Sequence, residues 1–340
     1  MRVGFLFWPF TPNLVRELTA DAERYGYDLI GIADTPGNAM DPWVAATMVA
    51  QATQNVRIAL CVSNLTSRHP AVSAAAIASL DLLAPGRAIL GIGAGHSGTR
   101  NLGIQGSRAS ELADGADFIR TLLAGKPASW KGGQAHLPWV RRPSPVFLAA
   151  SGPRALAAAG RSADGVFINY GLLAENVVSS EKAVRDAAAK AGRARSDVEI
   201  WQMAALDCSL DGTVSRHRVG AILAFMAAGY ILGGDLTARG VPTNLHPAIR
   251  ELQSRYSTRP GKADADLVDE LGLFDYLSSR FAVYGTPEMC HRQLAAARAA
   301  GVEQIMFSVS LAADPLETVA LFGEQVLPAM REKAPSCPGY

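Results

Sequence analysis

The stretch from Val56 to Gly98 constrains the fold of this chain more than any other. Val56 to Val62 is a run of β-branched and aliphatic residues of the length of a buried strand. Pro70 can sit in a first helical turn, Val72, Ala76, Leu80 and Leu83 follow at helical spacing, and Pro85-Gly86 supplies a stop. Arg87 to Gly93 is a second apolar run that ends in glycines. Strand, helix and strand in this order predict a parallel crossover, whose two strand ends point the same way. Asn64 and His96, just beyond those ends, are therefore expected at one site.

The alternation extends in both directions. Further strands are expected over Arg2–Trp8, Asp28–Ala33, Val146–Ala150, Val166–Asn169, Glu199–Leu206 and Glu303–Val309. Helices are expected over 13–25, 42–53, 108–123, 153–162, 175–191, 213–232, 287–300 and 315–331. Eight strand and helix pairs predict an α/β fold, a (β/α)8 TIM barrel with insertions, with the active site at the carboxyl ends of the strands. A doubly wound open sheet shares the alternation and is the alternative. Residues 126–145, with Trp130, Gly132-Gly133 and several prolines, predict a short hairpin. Residues 233–275 predict a functional loop or lid with one or two short helices. No linker divides the chain, so residues 1–340 are expected to form one domain.

With 49% hydrophobic and 19% charged residues and a net charge of +1, the chain resembles neither a disordered polyelectrolyte nor a nucleic-acid-binding protein. A small-molecule substrate is the expected partner, with no nucleic acid and no membrane. The amino terminus meets Pro9, Asn13, Arg16 and Glu17 before any signal core, and other apolar runs break within the ~20 residues of a membrane span. A cytoplasmic protein is expected. Cys61, Cys208, Cys290 and Cys337 form no CxxC pair, and the histidines no HxH or HxxxH pair. Neither a disulfide framework nor a metal site is expected.

Gly93-Ala94-Gly95-His96-Ser97-Gly98 matches GxGxxG, but the glycine-containing stretch after it does not pass into a helix as a dinucleotide loop does. Its glycines still mark close approach to the backbone. Ser151-Gly152-Pro153-Arg154, between a strand and a helix start, is either a phosphate or carboxylate site or an ordinary cap with a solvated arginine. Asp34 follows a buried strand and either holds a ligand's hydroxyl or ring N–H, or caps a loop. His96 is a candidate acid/base, or else loop filler. GxSxG and GKS/T are absent.

Three longer blocks carry a resemblance: SNLTSRHPAVSAAAIASLDLLAPGRAILGIGAG, then VFLAASGPRALAAAGRSADGVFINYG, then RFAVYGTPEMCHRQLAAARAAGVEQIMFS. In this order and spacing they resemble the bacterial-luciferase-like superfamily, above all its methylenetetrahydromethanopterin-reductase-like branch. The resemblance implies a (β/α)8 barrel, a reduced flavin or the deazaflavin F420 at the carboxyl face, and a homodimer or dimer of dimers. It implies a non-proline cis peptide at Cys61–Val62, where a bulge presses on the middle ring of the cofactor. Position by position, Asp34 and Asn64 would meet the cofactor ring or its side chain, and Ala94, Gly95 and Thr99 would line the cofactor. Ser151, Gly152, Arg154 and Ala155 would hold its phosphate, and Asn169 would close the same site.

Two departures bear on activity. Members that oxidise sugar phosphates have a His where this chain has Thr35 and an acid where it has His96; the reductase branch usually has an acid at the second place. The resemblance therefore implies no sugar-phosphate dehydrogenase. It makes His96 the candidate catalytic residue, stabilising an anionic peroxide or protonating a product. The expected activity is a two-component monooxygenase that takes reduced FMN (FMNH2) from a separate flavin reductase and uses O2 on a small organic substrate. An F420-dependent hydride-transfer enzyme is the alternative, and a non-catalytic flavin-binding barrel a third reading. The 233–275 segment, with Trp8 and Trp130, is expected to shape the substrate pocket.

Overall fold

Eight apolar strands form the frame of the molecule. The computed structural model describes residues 1–256 and 265–331. Its barrel strands are β1 (Arg2–Phe7), β2 (Leu29–Ile32), β3 (Arg57–Asn64), β4 (Ala88–Gly93), β5 (Val146–Ala150), β6 (Gly165–Ile168), β7 (Glu199–Cys208) and β8 (Gln304–Ser308). All pair in parallel with their neighbours, and β8 pairs with β1. β7 joins β6 through residues 199–202 and β8 through 202–205, which closes the ring. The closed barrel expected from the alternation is the observed fold, and the open sheet is excluded.

Continuous apolar runs suit strands covered on both faces. Inward-facing Leu29, Phe147, Phe167, Trp201 and Met306 fill the barrel, while the outward-facing residues join a larger core with the surrounding helices. Several helices begin as their sequences predict. Pro12, Pro42, Pro70, Pro287 and Pro315 open them, and Thr11, Asp41, His69, Thr286 and Asp314 accept hydrogen bonds from first-turn N–H groups. Residues Ala128–Trp130 and Gly133–Ala135 pair as the expected hairpin.

The departures cluster after β7. The helix expected over 213–232 runs only from Gly212 to Phe225 and continues as a π-turn, Met226–Tyr230. The 233–275 segment is more helical than expected, with His246–Arg255, Ala265–Glu270 and the start of Phe274–Phe281. The reason is packing: Ile249, Leu252, Leu267, Phe274 and Leu277 build a separate core against Leu223. Residues 257–264 of the expected lid lie outside the described residues. An additional strand, Ala282–Gly285, pairs with residues 205–208 of β7, beyond the point where β8 leaves it. Cys61, Cys208 and Cys290 are free, and Cys337 lies outside the described residues. Among the described residues no helix is long and apolar enough to cross a membrane.

Candidate active site

One cavity receives residues from the carboxyl end of every barrel strand. Its lining includes Leu6 and Trp8 from β1, Asp34 and Thr35 past β2, Cys61, Val62 and Asn64 from β3, and Ala94, Gly95 and His96 past β4. Ser151, Asn169, Met203 and Ser308 complete the circuit from β5 to β8. The cavity holds about 360 Å³, within the range of small-molecule sites. Asn64 and His96 meet there, as the crossover predicts.

The floor lies between β3 and β4. The Cys61–Val62 peptide is cis, at the position the resemblance implies. The β3–β4 register shifts between Leu60 and Ser63, and Val62 crowds Gly93: a Cβ on Gly93 would stand 2.7 Å from Val62 Cγ2. Glycine is thus required beside the bulge. Burial pushes the Cys61 thiol up, so it offers no thiolate nucleophile at neutral pH.

Asp34 is 7% exposed and is held from two sides. Ser63 Oγ donates to it at 2.6 Å, and Arg68 Nε stands 3.6 Å away while the same guanidinium pairs with Asp41. A buried carboxylate needs such partners. Asn64 Oδ1 accepts from the Thr66 and Ser67 N–H groups at 2.9 and 2.7 Å, and its Nδ2 donates to Ser67 Oγ at 2.9 Å. Its side chain therefore shapes the turn after β3 as well as lining the cavity.

The loop after β4 is seated on the end of β2. A Cβ on Gly98 would lie 2.6 Å from the Asp34 carbonyl, so only glycine permits this approach. Thr99 is buried beneath Gly95 and donates to the His96 carbonyl at 3.2 Å, supporting the loop without reaching the cavity lining. The His96 ring meets Phe225 edge-on, centroids 5.9 Å apart. Burial, with the Arg100 charge adding to it, pulls the imidazole down to about 4. The sequence suggested a titration near the working pH. The structure instead makes His96 a neutral group there, able to accept a proton but carrying no charge for an anion.

At the opposite end, Gly152 precedes the Pro153–Ser162 helix, and no side chain caps it. Pro153 has no N–H, so Arg154 and Ala155 carry the first N–H groups of this turn, in a position where an anion can be bound. Ser151 and Asn169 line the cavity here, with Asn169 Nδ2 3.3 Å from Met203 Sδ. Arg154 is exposed and Ala155 half-buried on the first helical turn, both outside the lining. The cation over this helix start is Arg239, from the 233–275 segment. It donates to the Ser151 carbonyl, and to that of Ile231 at 2.6 Å, and a Cβ on Gly152 would lie 3.4 Å from it.

Arg239 lines the cavity from the 233–275 segment expected to shape the pocket, whereas Phe225 and Met226, which also line it, were not foreseen. Two apolar residues at a helix end carry no signal that separates them from core positions. Trp8 is in place, whereas Trp130 packs on Phe118 in the hairpin, centroids 5.5 Å apart, and is absent from the lining.

The profile of the luciferase-like monooxygenase family matches residues 8–304. The chain belongs to this family. Among its luciferase-like relatives, the 5,10-methylenetetrahydromethanopterin reductase of Methanolobus tindarius is 27% identical over 96% of this chain and 100% of that protein. The F420-dependent glucose-6-phosphate dehydrogenase of Nakamurella multipartita is 29% identical over 95% of this chain and 94% of that protein. The coenzyme F420-dependent tetrahydromethanopterin reductase of Methanopyrus kandleri has the same fold, with a TM-score of 0.78 at 22% identity over 97% of this chain and 100% of that one. The chain is an oxidoreductase of the luciferase-like type.

Proposed function

We propose that this luciferase-like protein is an F420-dependent hydride-transfer oxidoreductase acting on a small organic substrate. The observation that carries the proposal is the extent of the likeness: the F420-dependent dehydrogenase is matched over 95% of this chain, a length that takes in more than the barrel strands. The residues present fit a ring cofactor with an anionic tail. An uncapped helix start beneath Arg239 suits a phosphate, and Val62 beside Gly93 forms a floor to which Asp34 is adjacent through Ser63.

When bound, the cofactor supplies a two-electron hydride acceptor or donor. The protein supplies position and proton handling. Oxidation of an alcohol to a carbonyl removes a hydride from carbon and a proton from oxygen, and neutral His96 in the lining is a group that can take that proton.

The second reading is the two-component monooxygenase using FMNH2 and O2. It is favoured by His96 standing where the resembling reductases have an acid. Against it, a neutral imidazole contributes no positive charge to an anionic peroxide. Tryptophan fluorescence titration separates the two, because Trp8 lines the cavity. Tight F420 binding with weak FMNH2 binding under anaerobic conditions is expected. Preference for FMNH2 would replace the proposal with the monooxygenase, and binding of neither would remove both while leaving the family assignment intact.

A further inference from the structure

The wall facing the floor has its own chemistry. Trp8 and Phe225 meet edge-on with centroids 5.9 Å apart, His96 joins Phe225 at the same separation, and Met226 opens the π-turn beside them. A π-turn is often found where a helix serves a site. The wall is mostly apolar rings, and its imidazole is held neutral. Of the nearby cations among the described residues, Arg68 is engaged by Asp34 and Asp41, Arg239 lies at the far end on Ser151, and Arg100 is exposed at the rim.

A buried hydroxyl interrupts the apolar part of this surface. Thr35 is 1% exposed and lines the cavity, and its Oγ1 has no hydrogen-bond partner in the structure. A buried hydroxyl left unmatched costs roughly 1–3 kcal/mol. A ligand oxygen would relieve that cost. Thr35 adjoins the Asp34 carbonyl on which the His96 loop is seated, so hydroxyl and imidazole come from neighbouring backbones.

We propose that the substrate is a small neutral hydrocarbon, ring-sized or shorter, carrying a single alcohol or carbonyl oxygen. Trp8, Phe225 and Met226 pack its carbon skeleton, and Thr35 Oγ1 binds its oxygen beside His96. Phosphorylated and polyhydroxylated molecules are expected to bind more weakly, because among the described residues Trp8, Phe225 and Met226 give this wall apolar surface, and Arg100 and Arg239 stand at its rim and far end. The assignment rests on reading the floor as the cofactor site, since that leaves this wall to the substrate.

Cyclohexanol, cyclohexyl phosphate and glucose are the probes, read by calorimetry and by tryptophan fluorescence. Each is titrated into the protein alone and into protein saturated with whichever of F420 or FMN binds. Cyclohexanol is expected to bind at least about tenfold more tightly than the other two, a difference the size of one net hydrogen bond. Thr35→Val is expected to weaken cyclohexanol about tenfold with cofactor affinity unchanged, and Thr35→Ser to restore it. Phe225→Ala should weaken it as well. Equal or tighter binding of cyclohexyl phosphate or glucose would overturn the substrate class. Cyclohexanol affinity indifferent to Thr35→Val would overturn the role of the hydroxyl. If no cofactor binds while cyclohexanol is still selected, the F420 reading fails and the substrate wall stands.

Discussion

The two sides of the cavity are built differently. On the β2–β4 side, Asp34, Val62 and the His96 loop emerge from strands locked in a parallel ladder, and the approach of Gly98 to Asp34 fixes one loop against the next. On the opposite side, Phe225, Met226 and Arg239 belong to a helical insertion whose apolar residues form their own core. The first side can hold a cofactor in one place because its backbone is shared with the barrel. The second can change with the substrate, since its packing is largely its own. On the proposed reading, rigid chemistry and adjustable selectivity are divided between them.

The strongest way to break this division is to cut the insertion from the barrel. Arg280 is 1% exposed and joins them: its guanidinium donates to the Tyr170 carbonyl at 2.9 and 3.2 Å, to Arg239 O at 2.6 Å, to Gly240 O at 3.3 Å and to Tyr276 Oη at 2.5 Å. Arg280→Ala leaves buried carbonyls unmatched and should cost about 4 kcal/mol, read as a lower midpoint in urea unfolding. If the insertion is a separate packing unit, a first transition should appear while the barrel remains folded. A single transition with an unchanged midpoint would show that the two sides are one unit.

His96 tests the barrel side. His96→Ala should lower kcat about 100-fold, the lower range for a positioned acid or base, with cofactor affinity retained. Because burial holds the imidazole at about 4, wild-type kcat/KM should stay level from pH 8 to about 5 and fall only as His96 protonates. A fall centred near 6.5 would mean that the ring titrates as if in water. Loss of cofactor binding in the variant would move His96 from proton transfer to cofactor support.

Asp207 stands at the joint between the two sides. It is fully buried, and its carbonyl accepts from Ser215 Oγ at 2.8 Å, while that oxygen accepts from Gly285 N–H at 2.8 Å. Burial raises the carboxyl to about 6, only partly opposed by Ser215 and Arg218. A raised carboxyl pKa means that the folded state prefers the protonated form, so the wild type loses stability as pH rises from about 4 through 6. Asp207→Asn, which cannot ionise, should be more stable than wild type by about 2 kcal/mol at pH 8 and equal to it at pH 4, compared by thermal unfolding. Equal stability at both values would show that the joint tolerates the charge.

The same division governs what the sequence discloses. The strand–helix–strand unit from Val56 to Gly93 was legible because burial on both faces demands uninterrupted apolar runs, and Pro70 and His69 mark the helix start in one dimension. Asn64 and His96 followed from strand direction alone. Thr35 was visible only as a departure from the resembling dehydrogenases, because an unmatched hydroxyl is a property of three-dimensional surroundings. Phe225 ends an α-helix and Met226 opens the π-turn after it, so no pattern separated them from core residues, while Arg239 was visible only as part of a loop expected at the site. Trp130 was misplaced because a tryptophan in an insertion looks the same whether it covers the site or the Phe118 face of a helix.

Arg239 gives the smallest expected effect and the sharpest test of where one side ends and the other begins. It belongs to the insertion by sequence, yet it bonds the Ser151 carbonyl at the end of β5, over the uncapped helix start. If it serves the cofactor, Arg239→Gln should weaken binding about fivefold, the share of a partly solvated charge, and the loss should shrink at high salt. A shortened cofactor without its phosphate, riboflavin against FMN or the equivalent deazaflavin, should then bind wild type and variant equally. If Arg239 serves only the insertion, both forms of the cofactor should weaken together and salt should have no influence. The first result would extend the cofactor side across the cavity to one residue of the insertion, and the second would leave anion binding to the helix start alone.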